Sequence, residues 1–257
     1  MDDFLPITDE REVQAFLDHI PVVVDRARFT RFVLGFPHRY LQSTSPVEIV
    51  AHFALVSTLG TRTAVSRLAR EGAGWKLVVV AADRRALFSR IAGSLSVFGA
   101  NITAAEAFSN RESVVLDTFA LTDVEGRFEQ SEEGRRFQVF LERAIDGQVD
   151  LLRELESRGG PVRAALDLRW DDDAHPTATL LAVDGADAFG ILHAVSRRLS
   201  DAGASIELAH IDTRAGRIHD EFYLTGASGK LAPDERAAVE QALSGLAATE
   251  RRRAQRS

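Results

Sequence analysis

The sequence contains no cysteine. Disulfide frameworks, thiolate zinc sites, iron–sulfur clusters and cysteine nucleophiles are thereby excluded. A secreted disulfide scaffold goes with them, which favours a reducing compartment. Lysine is almost missing as well. Lys76 and Lys230 are the two lysines among 31 basic residues, and the other 29 are arginine, a skew that genome composition explains as readily as recognition chemistry. There is no basic excess either, since the net charge is −7, and this argues against a generally basic nucleic-acid binder. The start, Met1-Asp2-Asp3-Phe4, lacks the cationic and apolar parts of a signal peptide. No apolar stretch approaches the roughly 18–20 residues of a membrane span. These absences predict a cytoplasmic, soluble protein without nucleic-acid or membrane partners. The composition, 45% hydrophobic and 27% charged, is otherwise that of a globular chain. At 257 residues the chain exceeds the length of most single domains, about 100–150 residues, so two are expected.

The first 72 residues read as a small helical segment. Thr8 and Asp9 can cap a helix holding Val13, Phe16 and Leu17 that ends near Ile20-Pro21. Ser45-Pro46-Val47-Glu48 has a capping-box spacing with proline at the first helical position. Ile49, Val50, Phe53 and Ala54 then supply an apolar face. Thr61 to Arg70 reads as a further short helix or loop, closed by Gly72 and Gly74.

From Trp75 the pattern changes. Leu77-Val78-Val79-Val80 is a continuous apolar run of central-strand type. Leu87, Phe88, Ile91, Ala92, Leu95 and Phe98 then follow a helical period stopped by Gly99. Ile102–Phe108 and Val114–Thr122 read as paired strands around an Asn110-Arg111-Glu112 turn, and a second helix carries Phe137, Phe140, Leu141, Ile145, Val149, Leu151 and Leu152. A strand at Val162–Leu168 would complete the unit.

The same series recurs. Ile191, Val195, Leu199, Gly203 and Ile206 each lie 104 residues after Leu87, Ile91, Leu95, Gly99 and Ile102. Asp220-Glu221-Phe222-Tyr223-Leu224-Thr225 follows Asp117-Thr118-Phe119-Ala120-Leu121-Thr122 by 103, with one residue lost near Gly216. Pro233–Leu246 is the second helix of this copy. The expected class is α+β, with two ferredoxin-like βαββαβ repeats after the helical segment. The expected boundaries are residues 1–72 for the helical segment, 73–168 and 176–248 for the repeats, and 249–257 for a disordered basic tail. A last strand for the second copy is not evident before Arg251-Arg252-Arg253, which suggests strand exchange or a degenerate copy.

Two such repeats, each with an Asp-bearing loop before its first helix and Gly-x-x-Ile after it, resemble tandem ACT domains, which are small-molecule sensing modules. Phe36-Pro37-His38-Arg39-Tyr40-Leu41, Ser45-Pro46-Val47-Glu48-Ile49 and His52 resemble the segment preceding the ACT pair in the bacterial protein-PII uridylyltransferase family. Asp117-Thr118-Phe119 and Asp220–Thr225 resemble the third ACT strands of that family. The resemblance covers residues 10 to 248. It implies a regulatory pair that senses glutamine and sets the balance of uridylylation and deuridylylation of PII, with catalysis in other domains. Those domains need a Gly-Ser motif followed by paired aspartates, and separated histidines with a His-Asp pair. Gly93-Ser94 has no Asp-x-Asp after it, and His219-Asp220 falls on an expected strand. No catalytic residue, metal ligand or cofactor is therefore expected in this chain.

The resemblance, with the preference of an anionic group for a helix N-terminus, picks out Asp83, Arg84, Arg85, Ala86 and Leu87 in the first copy, and Asp187, Ala188, Phe189, Gly190 and Ile191 in the second. Asp83 or Asp187 would face a ligand ammonium. Asn101 with Ile102, or Ser205 with Ile206, would meet its side chain. The family loop is typically Asp-Arg-Pro-Gly, from which the first copy has lost proline and glycine and the second arginine and proline. The two sites are thus expected to be unequal. The expected function is amino-acid sensing, glutamine favoured, in a regulatory protein of nitrogen metabolism. Expected partners are a second copy through the ACT sheets, a catalytic partner or the PII protein. The alternatives are a structural oligomerisation module with decayed sites, and a fragment or subunit of an active uridylyltransferase. Asp171-Asp172-Asp173 with His175-Pro176 is expected to be an acidic turn, and His38 and His52 are expected to pack or to lie at the surface.

Overall fold

The computed structural model describes residues 6–19, 25–123 and 125–247. The Ile20-Pro21 helix end and the basic tail at 249–257 lie outside the described residues.

Four helices open the chain: α1 (Glu10–Leu17), α2 (Arg26–Val33), α3 (His38–Ser43) and α4 (Pro46–Ser57). The Asp9 carboxylate caps α1, and Ser45 and Glu48 form the expected capping box on α4. The first repeat follows as β1 (Ala64–Glu71), β2 (Gly74–Ala82), α5 (Leu87–Val97), β3 (Ala100–Ser109), β4 (Val114–Asp123), α6 (Ser131–Ile145) and α7 (Leu151–Gly159). The second comprises β5 (Leu166–Asp171), β6 (Thr179–Ala186), α8 (Ile191–Asp201), β7 (Ser205–His210), the two-residue β8 (Thr213–Arg214), β9 (Arg217–Gly226), the two-residue β10 (Gly229–Lys230) and α9 (Pro233–Ser244).

The protein is α+β with two ferredoxin-like repeats. The first sheet runs β1-β2-β4-β3 and the second β5-β6-β9-β7, every neighbouring pair antiparallel. This is the spatial order of a split βαβ sheet, but the outer strand comes from the other end of each repeat. Thr61–Arg70 is not helix or loop: most of it is β1. Val65 and Leu68 mimic a helical step, yet Glu71 pairs with Gly74 across a two-residue turn whose Gly72 has φ +57°. That hairpin crosses the expected boundary at 72/73. Likewise Val162–Leu168 does not complete the first repeat. Its latter part begins β5, which pairs with β6 of the second sheet. The missing last strand of the second copy is therefore found ahead of it rather than behind. A further difference lies after β4, where one expected helix is two, broken by Gly147 at φ +75°.

The two sheets lie edge to edge with β3 beside β7, and α5 packs on α8. One continuous core therefore joins both repeats, from Leu77, Ile91, Phe119 and Phe137 to Leu181, Val195, Phe222 and Val239. The opposite face of the first sheet is covered by the N-terminal helices. Phe29, Phe36, Tyr40 and Ile49 meet Val80, Phe108 and Leu116, all 0–1% exposed. This explains the unbroken Leu77–Val80 run, because β2 is buried on both faces. Each large apolar side chain buried there contributes about 1.5–3 kcal/mol, with edge-on ring contacts such as Phe29–Phe53 at 5.3 Å between centroids.

Candidate functional site

The loops that lead into α5 and α8 are built alike. Each helix starts from a residue in the left-handed region, Ala86 at φ 61° and Gly190 at φ 75°. An alanine there is strained by its Cβ, by roughly 1–2 kcal/mol. Ala86→Gly is therefore expected to raise stability by about 1 kcal/mol, less the added freedom of the unfolded chain. Gly190→Ala should lower it by a similar amount, since the new Cβ would meet Leu155 and Val162 only at an ordinary 3.6 Å. Denaturant titration of both variants reads the two opposite signs.

The arginines of the first loop are committed to helix C-termini, where free carbonyls concentrate negative charge. The Arg84 Nη1 donates to the Ile145 carbonyl at 3.0 Å at the end of α6. The Arg85 Nη2 donates to the Ser200 carbonyl at 3.0 Å and the Asp201 carbonyl at 3.4 Å, at the end of α8. Arg85 thus ties the first repeat to the second. Phe189, its counterpart, is 43% exposed and lies against Gly159 at the end of α7.

Two cavities open at these loops, and both are assembled across the repeats. Asp83, Arg84, Arg85, Ala86 and Leu87 share one of about 510 Å³ with Ser205, Ile206 and Glu207 of β7. Asp187, Ala188, Phe189, Gly190 and Ile191 share another of about 160 Å³ with Asn101 and Ile102 of β3. Each loop therefore faces the strand start of the other copy, not of its own. The cause is the abutting of β3 on β7 and of α5 on α8, which carries each strand start under the opposite loop. The cavities are equivalent positions of the repeat: Ser96, Gly99 and Ala107 in one copy correspond to Ser200, Gly203 and Ile211 in the other.

Each cavity also holds an acid that the loop-centred reading missed. Asp117 of β4 lines the first and Asp220 of β9 the second. Both are 1% exposed. They occupy core-facing positions, Asp117 between Val115 and Phe119 and Asp220 between Ile218 and Phe222, all of which belong to the core under the helices. The Asp117 Oδ1 and the Asp220 Oδ2 have no hydrogen-bond partner. The Asp220 Oδ1 accepts the Asp212 backbone N–H at 3.3 Å. Burial, reinforced by Asp83, pushes the Asp117 carboxyl well above the usual range. Burial together with Asp187, Asp212 and Asp184 pushes Asp220 up to about 7. The signal was present in the sequence: Asp117 falls in period-two register with Val115, Phe119 and Leu121, and Asp220 with Ile218, Phe222 and Leu224, which places an acid at a core-facing position in both copies.

The other polar features that the sequence singles out are paired within the fold. His219 and Asp220 point to opposite faces of β9, as strand neighbours must, and the His219 Nδ1 meets the Asp184 Oδ1 at 2.5 Å. The Tyr40 hydroxyl and the His52 Nδ1 lie 3.0 Å apart, and burial first, then the Lys76 charge, lowers His52 to about 4. His38 lies 3.0 Å from the Glu12 carboxylate. In the acidic turn the Asp171 Oδ1 accepts the Asp173 and Ala174 backbone N–H groups, while Asp172 pairs with Arg236 and accepts from Thr179. Among the described residues no group of three or more His, Asp or Glu side chains could hold a metal ion. No helix among them is long and apolar enough to cross a membrane.

Fold and cavities together define a two-repeat α+β protein with a pair of equivalent cavities between its repeats. No protein-family profile matches the chain. It is similar to proteins named bifunctional uridylyltransferase/uridylyl-removing enzyme. The one from Phenylobacterium zucineum is 33% identical over 205 residues, covering 77% of this chain and 22% of that protein. The one from Caulobacter vibrioides is 32% identical over 217 residues, 80% of this chain and 23% of its own length. That from Gluconobacter oxydans is 34% identical over 163 residues, 60% and 17% respectively. The chain thus spans about a fifth of the length of these relatives.

Proposed function

We propose that this chain is an amino-acid-sensing regulatory unit, with tandem ACT-type repeats and glutamine as the favoured ligand. The observation that carries the reading is the pair of equivalent cavities, each joining the N-terminus of a helix to a buried acid. A zwitterion presents the complementary pair of charges: its carboxylate suits the first turn of α5 or α8, and its ammonium suits the acids. The site lies between repeats, so a bound ligand bridges both and shifts the balance between closed and loosened arrangements of the pair. In this reading the partner is a catalytic chain of the uridylyltransferase type or its PII substrate, and regulation is what this chain contributes. The similarity to uridylyltransferase/uridylyl-removing enzymes supports that placement, as part of such an enzyme or as a regulator acting beside it.

A second reading, a structural module that pairs with a second copy through its sheets, is favoured by the commitment of Arg84 and Arg85 to helix carbonyls rather than to an open site. Titration calorimetry separates the two. Saturable heat with glutamine supports sensing. Absence of heat with any of the common amino acids, with a dimer seen by light scattering, supports the structural module.

A further inference from the structure

We propose that Asp117 and Asp220 are the ammonium-binding groups of the two cavities, so that each cavity selects a ligand bearing a primary ammonium and rejects its deaminated analogue. The inference deepens the amino-acid reading and rests on it. Asp83 and Asp187 are the acids that the loops themselves suggest, but they have no such confinement. Asp117 and Asp220 lie under the helices among Val115, Phe119, Ile218 and Phe222, each 1% exposed and each with one oxygen unpartnered. Such a group is costly in an apolar layer, where a leucine would pack without penalty. It nevertheless stands at the equivalent place in both copies, and in both it lines a cavity.

The charges around them leave the role of counter-ion open. Asp83 and Glu207 line the first cavity with Asp117, and the one cationic pair there, Arg84 and Arg85, is bonded to carbonyls at the ends of α6 and α8. Asp187, Asp212 and Asp184 are the charged groups that act on Asp220. Neither Asp117 nor Asp220 forms an ion pair with a described basic residue. An entering ammonium supplies the missing donor and charge together. The carboxyl then ionises, and its proton passes to the solvent buffer as the N–H···O bond forms. Charge-assisted bonds of this kind are short and about twice as strong as neutral ones.

The test compares glutamine with 4-carbamoylbutanoate, which is glutamine with hydrogen in place of the ammonium. Calorimetric titrations use the full chain and the Asp117→Asn, Asp220→Asn and doubly substituted variants, in buffers of differing ionisation enthalpy near pH 6.5. The analogue should bind at least about 30-fold more weakly than glutamine. Each single variant should lose tight binding at one cavity, and the double variant at both. Binding to the unmodified chain should release protons, and each single variant should release fewer. Glutamine binding by the double variant within threefold of the unmodified chain would overturn the assignment while leaving the amino-acid reading standing. So would equal binding of the analogue. No binding of any amino acid to the folded, unmodified chain would remove the reading and the assignment together. Should an Asn variant not fold, the comparison of glutamine with its deaminated analogue on the unmodified chain decides alone, and equal binding counts against the assignment.

Discussion

Gly93→Val is expected to destabilise the protein by about 3 kcal/mol, through overpacking and loss of a buried hydrogen bond. Gly93 lies in α5 where that helix crosses α8. A Cβ at this position would stand 2.7 Å from the His193 Nδ1 and 3.2 Å from two ring carbons. The imidazole cannot give way cheaply. It is 3% exposed, and its Nδ1–H donates to the Ser89 carbonyl at 2.7 Å across the two helices. The residues joined by that bond, Ser89 and His193, are themselves equivalent positions 104 apart, so the contact lies at the centre of the pairing of the repeats. Pushing the helices apart to fit a side chain would also displace β3 from β7 and open both cavities. Gly134 is the control. It lies in α6 with nothing within 4 Å of an added Cβ, so Gly134→Val should change stability by less than about 0.5 kcal/mol. Thermal melts suffice, since 1 kcal/mol corresponds to about 2–4 °C for a chain of this size. Equal behaviour of the two variants would contradict the close approach of α5 and α8.

Asp220→Asn is expected to stabilise the protein at pH 8 and to leave it nearly unchanged at pH 4. The folded-state carboxyl is pushed up to about 7, chiefly by burial, against about 3.9 in the unfolded chain. Between those values the unfolded chain releases a proton that the folded chain retains. Stability therefore falls as pH rises through this window, and above about 7 the loss is complete. Asparagine keeps an oxygen for the Asp212 N–H and removes the charge. The expected gain at pH 8 is roughly 1–4 kcal/mol. Asp117→Asn should act in the same direction, because burial and Asp83 raise its carboxyl too. Glu48 behaves oppositely and serves as an internal contrast. Burial raises its pKa, but bonds from Lys76 and Ser45 outweigh that and hold it at about 2, so its contribution is present above the unfolded value and lost only as pH falls towards 2. A pH 8 stability unchanged in both Asn variants would contradict the burial of these acids.

Much of the architecture was legible because it is written in local terms. The capping box at Ser45, the stop at Gly99 and the constant offset between copies identify helices and a duplicated unit without tertiary information. The outer strands were not legible for the same reason. β1 and β5 are chosen by pairing with β2 and β6, and Val65 and Leu68 carry too little periodicity to distinguish a strand from a helix. An edge strand of a ferredoxin-like sheet can arrive from either end of the unit, and sequence order does not say which. The loops of the candidate site were found from the resemblance and from helix-terminus electrostatics. Their partners were not, because Asn101 sits near its own loop in sequence and near Asp187–Ile191 in space. Asp117 and Asp220 stand out as acids in core-facing register in both copies. The resemblance and the helix-terminus electrostatics point to the loops and the strand starts, and neither points to the middle of β4 or β9.

That the cavities between the repeats bind an amino acid is our proposal. It is tested most directly by titrating glutamine into the full chain in a calorimeter, beside a variant in which Ser205→Trp and Asn101→Trp fill the two cavity mouths. Saturable heat is expected with at most two equivalents per chain, unequal in affinity because the cavities differ in volume and in the Asn101/Ser205 pair, and no heat from the blocked variant. Heat that persists undiminished when both mouths are blocked, or no heat from glutamine or any other amino acid with the unmodified chain, would contradict it.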